Sequence, residues 1–429
     1  MRLELRILAA VGVLVLLILA YVEYVSLPGS SPNSITSFSA WKYTVPGTAN
    51  AVALTPDGTY LAAGTESGRL SGSIYLFQGK GGSASAGTGH LLWRHDTQTA
   101  ILSVAISRNG SLIAAAGSQI VGLGGFYSNE MLYALSRDGV VLWNSSVTSP
   151  VWAMLVSPDG SRLVVREEDS VVCFGAQSGS IIWQQKVGGS SSVTLSMNDN
   201  ATVLAVGGSG RAYLLSMTDG HPLWSHSVLS GYSVGPEAIS GDGAYVAVGA
   251  VKTGTDGSVY LLDGRTGYLL WTHHVNSDVL SASVSHDGSR IAFGTNDWII
   301  FYDRAGTQLW NDTDANAKVL IVPERPASAS LSPQSSESVA INESKTTTAT
   351  TMDTASTGVF AGLWTNIPPS VMLIDGLTGR PVWSASVVTV HSIDIGSEAG
   401  LAAVAAGPAE ASPSSGGTIY MFSLNKGLG

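Results

Sequence analysis

From about residue 50 onward the chain alternates between short apolar runs and short polar breaks. Six segments share one pattern: alternating apolar residues, a tight polar turn, and a second apolar run that usually closes near Gly. They are AVALTPDGTYLAAG from Ala51, SVAISRNGSLIAAAG from Ser103, AMLVSPDGSRLVV from Ala153, SVTLSMNDNATVLAVGG from Ser192, EAISGDGAYVAVG from Glu237 and ASVSHDGSRIAFG from Ala282. Alternation at period two over about five residues predicts half-buried strands. Turns such as Pro56-Asp57-Gly58, Pro158-Asp159-Gly160 and His286-Asp287-Gly288 supply the Asx and positive-φ chemistry of a tight hairpin.

A second pattern follows most of these hairpins. It is an apolar strand, often with Tyr or Phe, then a turn ending in Gly, then a strand ending in Trp. Val171–Trp183, Ala212–Trp224, Val259–Trp271 and Val371–Trp383 all follow it. The tryptophans Trp41, Trp93, Trp143, Trp183, Trp224, Trp271, Trp310 and Trp383 recur at spacings of roughly 40 to 50 residues, with one wider gap before Trp383. Four strands per period of about 45 residues is the signature of propeller blades. The expected fold is all-β: an eight-bladed β-propeller, with seven blades the alternative, preceded by one N-terminal transmembrane helix. One indole per blade, at a fixed place after a Gly turn, is expected to dock blade against blade. The repeat region begins with a lone Trp strand around Trp41 and ends with Thr418–Asn425, a third strand lacking its Trp partner. The first fragment supplies what the last blade lacks, which closes the ring and removes an exposed edge.

Ahead of the repeats, Ile7 to Ala20 carries no charge, Pro or polar residue, and Tyr21 to Val25 extends it. Arg2 and Arg6 precede the run and Glu23 is the first charge after it, which places the N-terminus inside and the remainder outside. A cleaved signal peptide is the rival reading, although no Ala-x-Ala site closes the run. The expected organisation is a cytoplasmic tip at 1–6, a signal-anchor helix at 7–25, a linker at 26–38 and a propeller at 39–429. A Ser/Thr-rich insertion falls at about 343–357 in the seventh repeat. Either Lys318–Val322 is that repeat's inner strand, or Ser328–Ser332 and Ser338–Asn342 form its first hairpin. The second alignment mirrors the other hairpins better.

Composition narrows the function. Charged residues are 12% and the net charge is -10, with no basic run beyond the first residues, which excludes nucleic acid as a partner. The single cysteine, Cys173, excludes an intrachain disulfide and lies in an apolar run that reads as core. Five Asn-x-Ser/Thr sequons, at Asn109, Asn144, Asn200, Asn311 and Asn342, make an exported domain a candidate glycoprotein.

The stretches Asp263–Trp271, Asp303–Trp310 and Asp375–Trp383 resemble the tryptophan-docking repeat of quinoprotein-like (PQQ-like) propellers. That family includes pyrroloquinoline-quinone dehydrogenases and the non-enzymatic propeller lipoprotein of outer-membrane assembly. The Ser-Pro-Asp-Gly hairpins are similar to WD40-like repeats, without the recurring Gly-His and Trp-Asp dipeptides. The resemblance covers roughly residues 40 to 425 and implies architecture more than activity. Alcohol dehydrogenases of the family hold calcium and quinone with acidic and amide side chains and carry a vicinal disulfide. This sequence has no Cys-Cys pair and no evident counterpart of the calcium set, so no cofactor is expected.

Catalytic and metal motifs are scarce. His90, His95, His221, His226, His273, His274, His286 and His391 are scattered, and the adjacent His273 and His274 point to opposite strand faces. Asp312, Asp314 and Asn316 open like a calcium loop but lack its Gly and distal Glu, which leaves a solvated turn. Glu167, Glu168 and Asp169 read as a solvent-facing turn. The loops between second and third strands vary in length, being long at Ser118–Glu130, Ala250–Gly257 and Gly407–Gly417, and variable loops on a rigid scaffold are where binding resides. Phe126, Tyr127 and Trp364 are the candidate partner-binding residues. The expected function is a membrane-anchored, extracytoplasmic, non-catalytic binding or scaffold protein for a protein or glycan partner. A PQQ-dependent oxidoreductase is the alternative.

Overall fold

Four apolar strands joined by tight turns cannot bury both faces of their own sheet, so the repeats stack. The computed structural model describes residues 39–423 apart from 69, 81–88, 122–125, 148, 150, 152, 190–193, 253–255, 296–298, 313–316, 320–357, 364–370, 376–380, 386, 388–389, 397–398 and 409–415. Among these residues every regular element is a β-strand, and the strands form eight four-stranded antiparallel sheets. Ser37–Gly429 is one compact unit. The expected tip, anchor run 7–25 and linker 26–38 all lie outside the described residues. Among the described residues no helix is long and apolar enough to cross a membrane.

In chain order the sheets span residues 48–97, 100–146, 153–186, 195–227, 233–275, 279–312 and 317–385, and are numbered 1 to 7. Sheet 8 takes three strands from residues 390–423 and its fourth from Ser39–Val45. In that closure Trp41 lies opposite Met421 and Val45 opposite Gly417. The first strand of each sheet packs on the sheet before it, and Thr48–Leu54 of sheet 1 packs on Val390–Gly396 of sheet 8. The series therefore returns to its start, as a propeller requires.

Each sheet is a meander, so its first–second and third–fourth turns share one end of the ring. The second–third loops and the links between sheets share the other. These are the turn end and the loop end below.

The apolar interior is distributed over the seams rather than gathered in one core. Leu61, Tyr75, Phe77, Ala403, Ile419 and Met421 join sheets 8 and 1. Val164, Cys173, Leu204 and Val206 join sheets 3 and 4, and Val259, Leu261, Ile291 and Phe293 join sheets 5 and 6. The second strands were expected to be half-buried, but Leu61–Ala63, Leu204–Val206 and Ala402–Ala405 are buried on both faces. Small residues dominate there because a sheet lies against each side.

Sheet 7 corrects the favoured alignment of the seventh repeat. Its first strand is Ala317–Val319 and its second is Gly358–Leu363, with Lys318 opposite Gly362. The inner strand is thus the Lys318 alternative, and the Ser/Thr-rich stretch falls within a first–second connection. Repetition of the hairpin motif favoured the wrong segment, because sheet pairing selects whichever flanking strand completes the ladder. The insertion at 343–357 lies outside the described residues.

Candidate functional site

The tryptophan strands carry the seams, and a repeated irregularity sets them up. In each outer strand the register slips one residue before the indole: Cys173 faces Trp183 but Phe174 faces Ile181, and Leu261 faces Trp271 but Leu262 faces Leu269. Trp93, Trp143, Trp224 and Trp310 follow the same slip. Such a bulge re-aims the side chains on either side of it. It turns the indole toward the next sheet and ejects the preceding aliphatic residue.

The indole N–H groups then donate to backbone carbonyls of the following sheet. Trp143 reaches Ala176 O at 2.7 Å, Trp183 reaches Met217 O at 3.0 Å, Trp224 reaches Gly264 O at 2.8 Å and Trp271 reaches Arg304 O at 2.9 Å. Trp93 bonds Arg137 O at 2.6 Å. Trp41, from the chain-closing strand, reaches Gly79 O of sheet 1 at 3.4 Å. Under each ring sits a glycine of the neighbouring turn. At Gly267, φ is +71°, and a Cβ there would lie 2.7 Å from the Trp224 ring, so both backbone and space demand Gly. Trp310 stacks on Phe301 with centroids 5.0 Å apart. Trp383 lies opposite Leu373 in sheet 7.

At the loop end, the predicted long loop Ser118–Glu130 is largely strand. Leu112–Val121 and Phe126–Ser136 extend as a hairpin, pairing Gln119 with Ser128, Ile120 with Tyr127 and Val121 with Phe126. Phe126 and Tyr127 therefore lie in paired strand at the far end of this hairpin rather than in an open loop. The apolar content of Ile120–Val121 and Phe126–Tyr127 explains why the ladder continues. Asn129 takes a φ of +52° and donates to Gln119 Oε1 at 2.6 Å, which steadies the base of the ribbon. Trp364 lies outside the described residues.

The first strands line the inside of the ring, where their inner edges have no ladder partner. Side chains of the preceding sheet satisfy them. Ser392 Oγ accepts from Val52 N at 3.3 Å and Asp394 Oδ2 from Leu54 N at 2.6 Å. Thr194 Oγ1 accepts from Glu237 N at 2.9 Å and Ser196 Oγ from Ile239 N at 2.8 Å. Burial pushes the Asp394 carboxyl up to about 7 and that of Glu237 up to about 8. The Thr194 hydroxyl donates to Glu237 Oε2, while Oε1 has no hydrogen-bond partner. Arg166, also fully buried, donates to Gly188 O at 2.8 Å, and its Nε and Nη1 are without acceptors. Sequence reasoning missed Arg166, Glu237 and Asp394. Their legible signal was a charge inside an otherwise apolar strand, in Leu163–Arg166, Pro236–Ile239 and Ile393–Ile395.

The remaining chemistry is dispersed. His273 Nε2 donates to Gly306 O at 2.9 Å, and the ring stacks on Tyr302 with centroids 4.9 Å apart. His274 points the other way, to Asn276 Oδ1 at 3.0 Å and Asp256 at 3.3 Å. Burial pushes the Cys173 thiol up to about 11, which suits a packing residue rather than a nucleophile. Asp169 pairs with Lys186 at 2.7 Å beside the buried Arg166. Asp312 ends the outer strand of sheet 6, and Asp314 and Asn316 lie outside the described residues. A cleft of about 470 Å³ opens between sheets 1 and 2, lined by Tyr60, Gln78, Leu92, Trp93, Arg137 and Asp138. Arg137 stacks over Tyr60 in it, 4.9 Å from the ring centroid. Among the described residues no three His, Cys, Asp or Glu side chains converge closely enough to hold a metal ion.

The family model described as outer membrane protein assembly factor BamB matches residues 128–250 and 208–361, together more than half of the chain. The chain belongs to this family of PQQ-like propellers. No curated protein matches its sequence. Among solved structures it is similar to BamB from Moraxella catarrhalis, with a TM-score of 0.61 and 14% identity, covering 90% of this chain and 100% of that one. It is similar to Chaetomium thermophilum Sqt1, solved bound to the N-terminus of ribosomal protein L10, with a TM-score of 0.65 and 16% identity over 90% and 100% of the two chains. The C-terminal WD40 domain of Sif2 gives a TM-score of 0.63 at 11% identity, over 90% and 99%. At such identities the likeness speaks for the fold alone.

Proposed function

We propose that this BamB-like chain is a membrane-anchored, non-catalytic binding propeller of eight blades. It is held on the extracytoplasmic side of the cell membrane by the run 7–25 and engages a protein partner at its loop end. The observation that carries the reading is the hairpin 112–136, whose paired strands run on to Val121 and Phe126 and include two apolar residues, Phe126 and Tyr127, at their far end. A long hairpin with an apolar end on a rigid ring serves recognition better than chemistry. Two of the similar structures point the same way: BamB is named for assembly, and Sqt1 was solved with a protein segment bound. The sequons at Asn144 and Asn311 fall on exposed outer-strand residues, consistent with glycosylation of an exported ring.

The test is capture from native membranes with the full chain and with Phe126→Ser, Tyr127→Ser and Trp364→Ser combined. The expected result is at least a tenfold loss of the captured partner with an unchanged melting temperature. Equal capture by both proteins would remove the loop end as the binding face.

A further inference from the structure

The outer strands carry a polarity boundary at one height around the ring. Sheet 3 reads Ile181-Ile182-Trp183-Gln184-Gln185-Lys186, and sheet 5 reads Leu269-Leu270-Trp271-Thr272-His273-His274. Two aliphatic residues lie toward the turn end, the docked indole follows, and polar residues run toward the loop end. A strand with one buried face alternates instead, so packing against the ring does not require this order. The bulge before each Trp pushes the aliphatic residue outward: Ile182 is 46% exposed, Leu223 55% and Leu270 47%. Of the eleven exposed large hydrophobic residues among those described, nine belong to this turn end of the outer strands and only Leu70 and Leu229 to the loop end.

Sheets 3 to 5 concentrate them, with Ile181, Ile182, Leu223, Leu269 and Leu270 on three consecutive outer strands and Tyr268 in the turn just before the last of these. Apolar groups spread round an arc at one level match a plane better than a single globular partner. The chain itself says which plane. Ser39 lies opposite Phe422, at the turn end of sheet 8. The chain therefore enters the ring, at Ser39, at the end where the aliphatic residues are exposed. Turn carboxylates at that end are engaged locally: Asp57, Asp159, Asp242 and Asp287 each accept from a hydroxyl and a backbone N–H of their own turn.

We infer that the turn end of the ring rests on a lipid surface, with the outer-strand aliphatic residues and Tyr268 entering the headgroup region of the bilayer. The inference rests on the anchor reading above. Amphipathic surfaces of this kind sink roughly 5–10 Å into the interface. With a net charge of -10, the contact is apolar rather than electrostatic and prefers zwitterionic lipid. It also leaves the ribbon 112–136 facing away from the membrane.

The full chain tests this directly, because its single native thiol, Cys173, is buried and unreactive. Leu223→Cys, Tyr268→Cys and, as the loop-end control, Leu229→Cys are labelled with an environment-sensitive fluorophore and reconstituted into phosphatidylcholine vesicles carrying a nitroxide lipid. The expected result is at least threefold quenching at 223 and 268, little at 229, and no gain when a third of the lipid is made anionic. Co-flotation with labels at 223 and 268 as water-exposed as 229 overturns the inference and leaves the anchor intact. Failure to co-float overturns the anchor reading and this inference together. Label burial in detergent that grows with protein concentration assigns the surface to a second copy instead.

Discussion

His286 Nδ1 lies 2.9 Å from Asp199 Oδ2, and the contact reaches from sheet 6 to sheet 4 across sheet 5. What lies between is Gly241, where a Cβ would stand 2.0 Å from Nδ1 and 2.7 Å from Oδ2. The same three turns are joined by Asp199 N–H to Gly241 O at 3.0 Å and Asp242 N–H to His286 O at 3.3 Å. The bond to Asp199 holds the imidazole above its ordinary value, against burial, with Asp242 and Asp287 adding to the same effect. A raised folded value means that the stabilisation is fully present below about pH 6.5 and is lost as the pH rises through the folded value. His286→Gln should therefore cost most at pH 5.5, and the gap to wild type should close toward pH 8.5. The ring is more than a third exposed, so solvent screening holds the effect to about 1 kcal/mol or less. Urea denaturation across that range measures it, and Gly241→Ala should show a similar loss.

Ala201 is the odd residue among the first–second turns. It takes a φ of +52° where Gly58, Gly110, Gly160, Gly243 and Gly288 occupy the corresponding place. A left-handed conformation costs an L-residue about 1–2 kcal/mol, partly offset by the greater freedom of unfolded Gly. Ala201→Gly should raise stability by roughly 0.5–1 kcal/mol, read as a higher urea midpoint with an unchanged slope.

Trp224 and Gly267 should be energetically coupled. Trp224→Phe removes the bond to Gly264 O and should cost about 1 kcal/mol. Gly267→Ala adds a methyl 2.7 Å from the indole at positive φ and should cost more, about 2 kcal/mol. In the double mutant the smaller ring relieves the clash. The cycle should close short of the sum by at least 0.5 kcal/mol.

The buried carboxyls predict a second pH dependence of known sign. Asp394 and Glu237 hold their protons to about pH 7 and 8, whereas the unfolded chain gives them up near 4. Each therefore favours the folded state at low pH, and stability declines as the pH rises from about 4 toward 7 or 8, by at most ~1.4 kcal/mol per unit per group. Asp394→Asn with Glu237→Gln should flatten the stability profile over that interval. An unchanged slope in the double variant would show that neither carboxyl titrates as described.

The repeat, the ring-closing strand at Trp41 and the tryptophan periodicity were legible because each is a short local pattern copied many times. The bulge before each indole was not. A two-residue aliphatic step before Trp reads equally as a continuous apolar strand, and only the pairing register shows which residue is ejected. Loop-length variation singled out Phe126 and Tyr127 as lying in an open loop, whereas they lie in paired strand, since nothing local marks where a hairpin stops pairing. Arg166, Glu237 and Asp394 are single charges in apolar strands. Their meaning depends on which N–H of the neighbouring sheet lies opposite, and that is set by the whole ring.

Ser39–Val45 is the first strand of the ring to be synthesised, yet its ladder partner Gly417–Ser423 is the last. Until translation has passed residue 423, Trp41 has neither Met421 beside it nor a finished sheet behind it. Assembly from sheet 1 onward can proceed during synthesis, but sealing belongs to the final moments and draws together the most distant parts of the polymer. A nascent molecule thus spends its maturation as an open arc with both rims sticky, and any holding factor it requires would act on those two unsealed ends.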